Sequence, residues 1–127
     1  MQTMQQRRAH FALTEVVKAV NNRDTNPDEY RSYAASFPAM IHINGLGQAA
    51  AFFKSKGGTH DLLYQLLSDW LIREGQPYHK ENDLMSGIIN QDMHCYRLAQ
   101  AEAQAFLDWV TKFAKAYMPE KKTQEEL

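Results

Sequence analysis

Residues 42–52 read HINGLGQAAAF, and the spacing Gly45-x-Gly47-x-x-Ala50 inside them fits the glycine fingerprint of a dinucleotide-binding turn. The fold class depends on whether that fit is real. A dinucleotide turn needs a strand before its first glycine, a βαβ unit around it, and an acidic residue about 20 positions on, at the end of a second strand. The preceding PAMIHI (38–43) offers at most a six-residue strand, and Pro38 heads it. The segment beyond the next helix is helical again, so no parallel sheet can be assembled. The stretch therefore reads as a glycine turn between two helices. Asn44-Gly45 tolerates positive φ and can end one helix while turning the chain into the next.

The chain reads as helix almost throughout. Ala9, Ala12, Leu13, Val16, Val17 and Val20 recur at three- and four-residue spacing, one apolar stripe on a helix from about Met4 to Asn21. Asn26-Pro27-Asp28-Glu29 has the form of a capped helix start. Pro38 is expected to stop or bend that helix and to open a further one reaching Asn44. Leu46 to Ser55 forms the helix after the turn, with Leu46, Ala49, Ala50 and Phe53 on one face. Gly57-Gly58 ends it, and Thr59 is the expected cap of the next. There Leu62, Leu63, Leu66, Leu67, Trp70 and Leu71 make a strong stripe. A short helix is expected over Asp83 to Ile89. A long one follows from Gln91 to Tyr117, with Cys95, Leu98, Ala99, Phe106, Trp109, Val110, Phe113 and Tyr117 on its buried side. No segment alternates with period two. The expected fold is all-α: a compact single-domain bundle of about six helices over residues 1–118, with the long C-terminal helix as spine and a flexible charged tail over 119–127.

Composition sets the function classes. The chain has 127 residues, and 44% are hydrophobic, as in a globular domain with a real core. Its net charge of −1 does not mark a nucleic-acid binder, so any anion-binding surface must come from where the charges sit. The single Cys95 excludes an internal disulfide and a multi-cysteine zinc site, and fits a reducing cytoplasm. MQTMQQRRAHF lacks the apolar region of a signal peptide, and no apolar run approaches the roughly 20 residues of a membrane span.

Catalytic and metal chemistry find little support. His10, His42, His60, His79 and His94 are scattered, without HExxH or an i, i+4 pair, so no metal and no cofactor is expected. Arg73-EGQPY-His79 has the Arg-x(4–6)-His spacing of HEPN ribonucleases, which are helical dimers. Six arginines and five histidines in this length give about 0.7 such matches by chance. Gly75 and Pro77 also break the helix on which the pair should lie. Basic pairs are more suggestive: Arg7-Arg8 near the start, Lys54 and Lys56 before Gly57-Gly58, Lys112 and Lys115 near the end. The lysines can also complement the negative ends of their helices. Most aromatics fall on apolar stripes; Phe52, beside its stripe, and Tyr78, in a loop, stand apart. No nucleophile–base or acid–base pair is evident, and the residues describe a non-catalytic helical module that binds something.

Four stretches in order carry a resemblance: RRAHFAL (7–13), YRSYAASFPAMIHINGLGQAAAFFKSKG (30–57), LLYQLLSDWL (62–71) and YRLAQAEAQAFLDWVTKFAKA (96–116). Together they resemble the small, all-helical subunit of the type III-B CRISPR effector, the Cmr complex, from about Arg7 to Ala116. FPAMIHINGLGQAAAFFKSKG is the most specific part. The resemblance implies a subunit without nuclease activity, stacked in copies along a filament beside the backbone subunits and the large subunit. Those copies would line the channel where target RNA pairs with guide RNA. Cleavage would belong to the backbone subunit and cyclic-nucleotide signalling to the large subunit. Base pairing would read sequence, so the protein need contact only backbone and shape. On this view Arg7, Arg8, Lys54 and Lys56 contact target-strand phosphates, and Asn44 and Gln48 support the turn or donate hydrogen bonds. Asp61, Asp69, Glu102 and Asp108 temper the basic character, so RNA affinity would arise when copies line up. The alternative from another class is a helical ribonuclease using Arg73 and His79.

Overall fold

A computed structural model describes residues 1–120. It contains six helices: α1 (Met4–Val20), α2 (Pro27–Asn44), α3 (Leu46–Lys56), α4 (Gly58–Leu71), α5 (Leu84–Asn90) and α6 (Met93–Tyr117). No strand occurs among the described residues. The all-α reading holds, with the long C-terminal helix as expected. Of the tail expected over 119–127, residues 121–127 lie outside the described residues.

Short polar side chains set most helix starts. Thr3 and Gln6 form a reciprocal capping box at α1, and the side chains of Asn26, Asp83 and Asp92 accept from Glu29 N, Ser86 N and Cys95 N. Thr59 is not the cap of α4. The helix starts two residues earlier, at Gly58, with Gly57 in the cap position and no side-chain cap. Thr59 instead donates its hydroxyl to Glu29 at 3.0 Å, tying α4 to α2.

Pro38 neither stops α2 nor opens a separate helix: α2 runs through it to Asn44. A proline inside a helix lacks the N–H that would bond the carbonyl four residues back. That carbonyl belongs to Ala34, which is fully buried, and the Thr111 hydroxyl of α6 donates to it at 2.8 Å. The Gln104 amide donates to the Pro38 carbonyl itself at 3.1 Å. Tertiary partners from α6 thus replace the local bond, so the helix continues.

The core is one cluster running through all six helices, with Val16, Tyr30, Phe37, Ile41, Phe53, Leu63, Leu67, Leu71, Phe106 and Val110 in it. Phe11, Trp70 and Phe106 stack with centroids 5.1 to 5.9 Å apart. α6 packs on α1, α2, α3 and α4 and so acts as the spine. Its buried face differs from the expected stripe. Leu98 and Tyr117 are about half exposed, whereas Ala103, Leu107 and Ala114 are buried. Alanines at these contacts let neighbouring helices approach α6 closely, so small residues hold places the sequence seemed to reserve for large ones. Val17 of α1 is likewise exposed, and Ala19 is buried in its turn. The Arg8 guanidinium locks α1 to α6. Its Nε and Nη2 donate to Glu102 at 2.7 and 2.9 Å, and Trp70 Nε1 donates to the same carboxylate at 2.9 Å.

Candidate nucleic-acid interface

The two glycine junctions that bracket α3 differ in what their backbone offers. At the first, Gly45 has φ +87°, a conformation that L side chains avoid. It closes α2 by donating its N–H to Ile41 O at 2.8 Å. The first amides of α3 then point at α6, not at solvent: Leu46 N donates to Gln100 Oε1 and Gly47 N to the Tyr96 hydroxyl, each at 2.9 Å. In a dinucleotide turn these amides would receive the pyrophosphate. Here protein side chains occupy them, and the fingerprint serves a helix–helix corner. Asn44 and Gln48 flank this corner, and both are exposed.

The second junction is open. Gly57 (φ +68°) leads into α4 with no side-chain cap, and a Cβ at Gly57 or Gly58 would meet nothing within 4 Å. Uncapped amides at a helix start carry partial positive charge. Lys54 and Lys56 lie in the last turn of α3, immediately before the junction. Lys54 Nζ lies 4.9 Å from the Tyr64 ring centroid and Lys56 Nζ 5.6 Å from that of Phe52. Neither lysine forms an ion pair among the described residues. Phe52 is 41% exposed. Beside it His60 stacks on Tyr33 at 3.8 Å and meets Phe52 edge-on at 5.8 Å. Burial lowers the His60 pKa from its ordinary value, with Lys56 adding to the effect and Glu29 opposing it. The ring is therefore neutral at pH 7 and extends a flat aromatic surface. Asp61, in the first turn of α4, brings a carboxylate close to the same amides.

The remaining expected residues lie elsewhere. Arg7 is exposed and lines a small depression with Gln2, His10 and Arg73 at the far end of α4. At 1.5 Å per residue, the 14 residues of α4 separate this end from Lys54 and Lys56 by about 20 Å. The basic residues thus form two groups. Arg8 is held by Glu102 and by Gln5, to which its Nη1 donates at 2.9 Å. Sequence reasoning flags Phe52 but not His60 or Tyr33. Those two come from different helices, and no spacing in the chain announces their stacking.

The ribonuclease pair does not form a constellation. Arg73 lies over the Phe11 ring at 4.4 Å, whereas His79 Nδ1 is 2.9 Å from the Gln76 carbonyl, and the two line different depressions. Among the described residues no group of three His, Cys, Asp or Glu side chains could hold a metal ion. No helix there is long and apolar enough to cross a membrane.

Two comparisons with known proteins bear on the family and the fold. Residues 4–117 match the family model described as CRISPR-associated protein (Cas_Cmr5). The fold is similar to the X-ray crystal structure of a CRISPR-associated Cmr5 family protein from Thermus thermophilus, with TM-score 0.78 and 27% sequence identity, over 94% of this chain and 100% of that one. The match of the family model along nearly all of the helical chain shows that this protein belongs to the Cas_Cmr5 family, the small subunits of the Cmr complex of CRISPR defence.

Proposed function

We propose that this chain is a non-catalytic subunit that stacks in copies along the Cmr filament in the cytoplasm, beside the backbone and large subunits, and helps hold target RNA paired with the guide RNA. The observation that carries the RNA contact is the open junction at Gly57. Two lysines without ion-pair partners among the described residues lie in the last turn of α3, just before those uncapped amides, and Lys56 sits by the exposed Phe52 ring. Backbone amides and lysines suit phosphate, and exposed rings suit bases that are out of the stack. In this reading Lys54 and Lys56 contact target-strand phosphates, and Arg7 forms a second contact about 20 Å away along α4. Asn44 and Gln48 donate hydrogen bonds from the corner between α2 and α3. Arg8, next to Arg7 in sequence, acts chiefly through Glu102 by fixing α1.

The test is charge reversal in a reconstituted complex, Lys54→Glu with Lys56→Glu. Weaker target-RNA binding with normal assembly supports the reading. Unchanged RNA binding removes these lysines from it. Failed assembly with the isolated fold intact would show that they face acidic surfaces of the backbone subunits instead.

A further inference from the structure

A cavity of about 220 Å³ lies between the second half of α1, the start of α2 and the middle of α4. It is below the roughly 300 Å³ at which pockets for drug-sized ligands begin, and so suits one side chain or a slender linear ligand. Its polar groups include two carboxylates, Glu15 and Asp69, and the Tyr30 phenol. Lys18 closes on Glu15 at 2.8 Å, but its own side chain is 70% exposed. Asp69 has no ion-pair partner among the described residues.

Tyr30 supplies the independent observation. It is 1% exposed and lines the cavity, and its hydroxyl has no protein partner among the described residues, yet it is not one of the two enclosed side-chain atoms there that lack a partner, so it opens into the cavity. A phenol on an otherwise buried side chain that opens into a cavity is free to bond a ligand there. Burial, and after it Glu15, raises its pKa, so the hydroxyl is protonated and retains acceptor capacity for an N–H donor. The Asp69 carboxyl is also raised, by burial first and Glu15 second, with Arg73 and Lys18 opposing. Two carboxylates and one ammonium leave the lining one negative charge in excess, which a single cation would neutralise. Ala19, Leu62 and Leu66 form the apolar part of the wall, and Leu62 is 41% exposed. An aliphatic stem would cover that apolar surface while its charged head reached the carboxylates.

We infer that this cavity is a socket for a guanidinium or ammonium group on an aliphatic stem, held by Asp69, Glu15 and the Tyr30 hydroxyl. The site lies apart from Lys54 and Lys56 and does not rest on the RNA reading. Such a group can come from an arginine or lysine of a neighbouring subunit or from a free polyamine.

The full chain should be titrated with ethylguanidinium, with tetramethylammonium at equal ionic strength as the cation without N–H donors, and followed by NMR. Saturable shifts at Glu15, Tyr30 and Asp69 with ethylguanidinium alone are expected. Asp69→Asn should weaken binding about tenfold or more, and Tyr30→Phe by less, in keeping with charged against neutral hydrogen bonds. Glu15→Gln gives a second, independent carboxylate variant. Equal response to both cations, or binding that survives both carboxylate variants, overturns the socket. In a reconstituted complex the sources separate. If a neighbouring subunit fills the socket, Asp69→Asn incorporates poorly and ethylguanidinium no longer shifts the assembled subunit. If a polyamine fills it, Asp69→Asn incorporates normally, and spermidine binds the assembled wild type but not that variant.

Discussion

The Thr111 hydroxyl on α6 stands 2.8 Å from the Ala34 carbonyl on α2, the carbonyl that Pro38 leaves without a helical donor. Thr111→Val keeps the shape and removes the donor, leaving a buried acceptor unpaired. We expect a loss of about 1–3 kcal/mol in urea denaturation. Thr111→Ser should lose less. Adding Pro38→Ala restores a backbone N–H in the helix, so the penalty of Thr111→Val should shrink in that background. An equal penalty in both backgrounds would refute the pairing.

Glu102 accepts from both Arg8 and Trp70, and the Arg8 and Glu102 side chains are only 18% and 11% exposed. Removing either ion leaves the other partly buried and unpaired. Glu102→Ala should cost about 2–4 kcal/mol, below the full value for a completely buried pair. Arg8→Ala should also destabilise. The double variant should lose less than the sum, with a coupling of about 1–2 kcal/mol. Strict additivity would mean that the two residues act separately.

Two aspartates should tilt stability against pH in opposite directions. Asp83 accepts from Ser86 N at 2.8 Å, and that hydrogen bond lowers its pKa below the ordinary value. Its contribution is full above the unfolded pKa of about 3.9 and disappears as pH falls through the folded pKa. Asp69, raised by burial, costs stability at neutral pH, and the cost vanishes as pH falls below about 3.9. Asp83→Asn should therefore lower Tm at pH 7. Asp69→Asn should raise it there, and both differences should narrow toward pH 3. Thermal melts across that range check both signs.

Purified protein should leave single-stranded RNA intact, and His79→Ala should change nothing, because Arg73 and His79 line different depressions. Cleavage that disappears in His79→Ala would replace the binding reading with a helical ribonuclease.

RNA retention by the assembled complex should depend on salt. Removing one cation that touches a target-strand phosphate reduces the slope of log K against log salt by about 0.7–0.9. Reversing Lys54 and Lys56 should flatten the slope by about 1.4 or more if both touch phosphate. Phe52→Ala should weaken binding with little change in slope, since stacking releases no counterions. A slope change on Phe52→Ala would indicate that the ring acts by positioning Lys56.

Helix existence and type are legible because each stripe repeats along the chain and most starts carry their own cap, as at Asn26 and Asp92. Pro38 misleads because the rule for prolines is local, and its exception depends on a threonine 73 positions away. Leu98 misleads for a related reason: hydrophobicity marks what is able to be buried, whereas the neighbours decide what is. At the candidate interface Lys54, Lys56 and Phe52 are visible as residue types. The pairing of Tyr33 with His60 is not, since it arises only when α2 packs on α4.

α6 also sets when this chain can fold on the ribosome. Gln100 and Tyr96 complete the start of α3, Thr111 completes the interior of α2, and Glu102 anchors Arg8 and Trp70. All four partners reside in the last of the six described helices to be synthesised. While α6 is still in the exit tunnel, the emerged helices carry unmatched amides, a bare carbonyl and an unpaired guanidinium. The tertiary structure of this small subunit must therefore be acquired in one late cooperative step, and a nascent chain arrested before residue 93 should remain as sensitive to protease as an unfolded one.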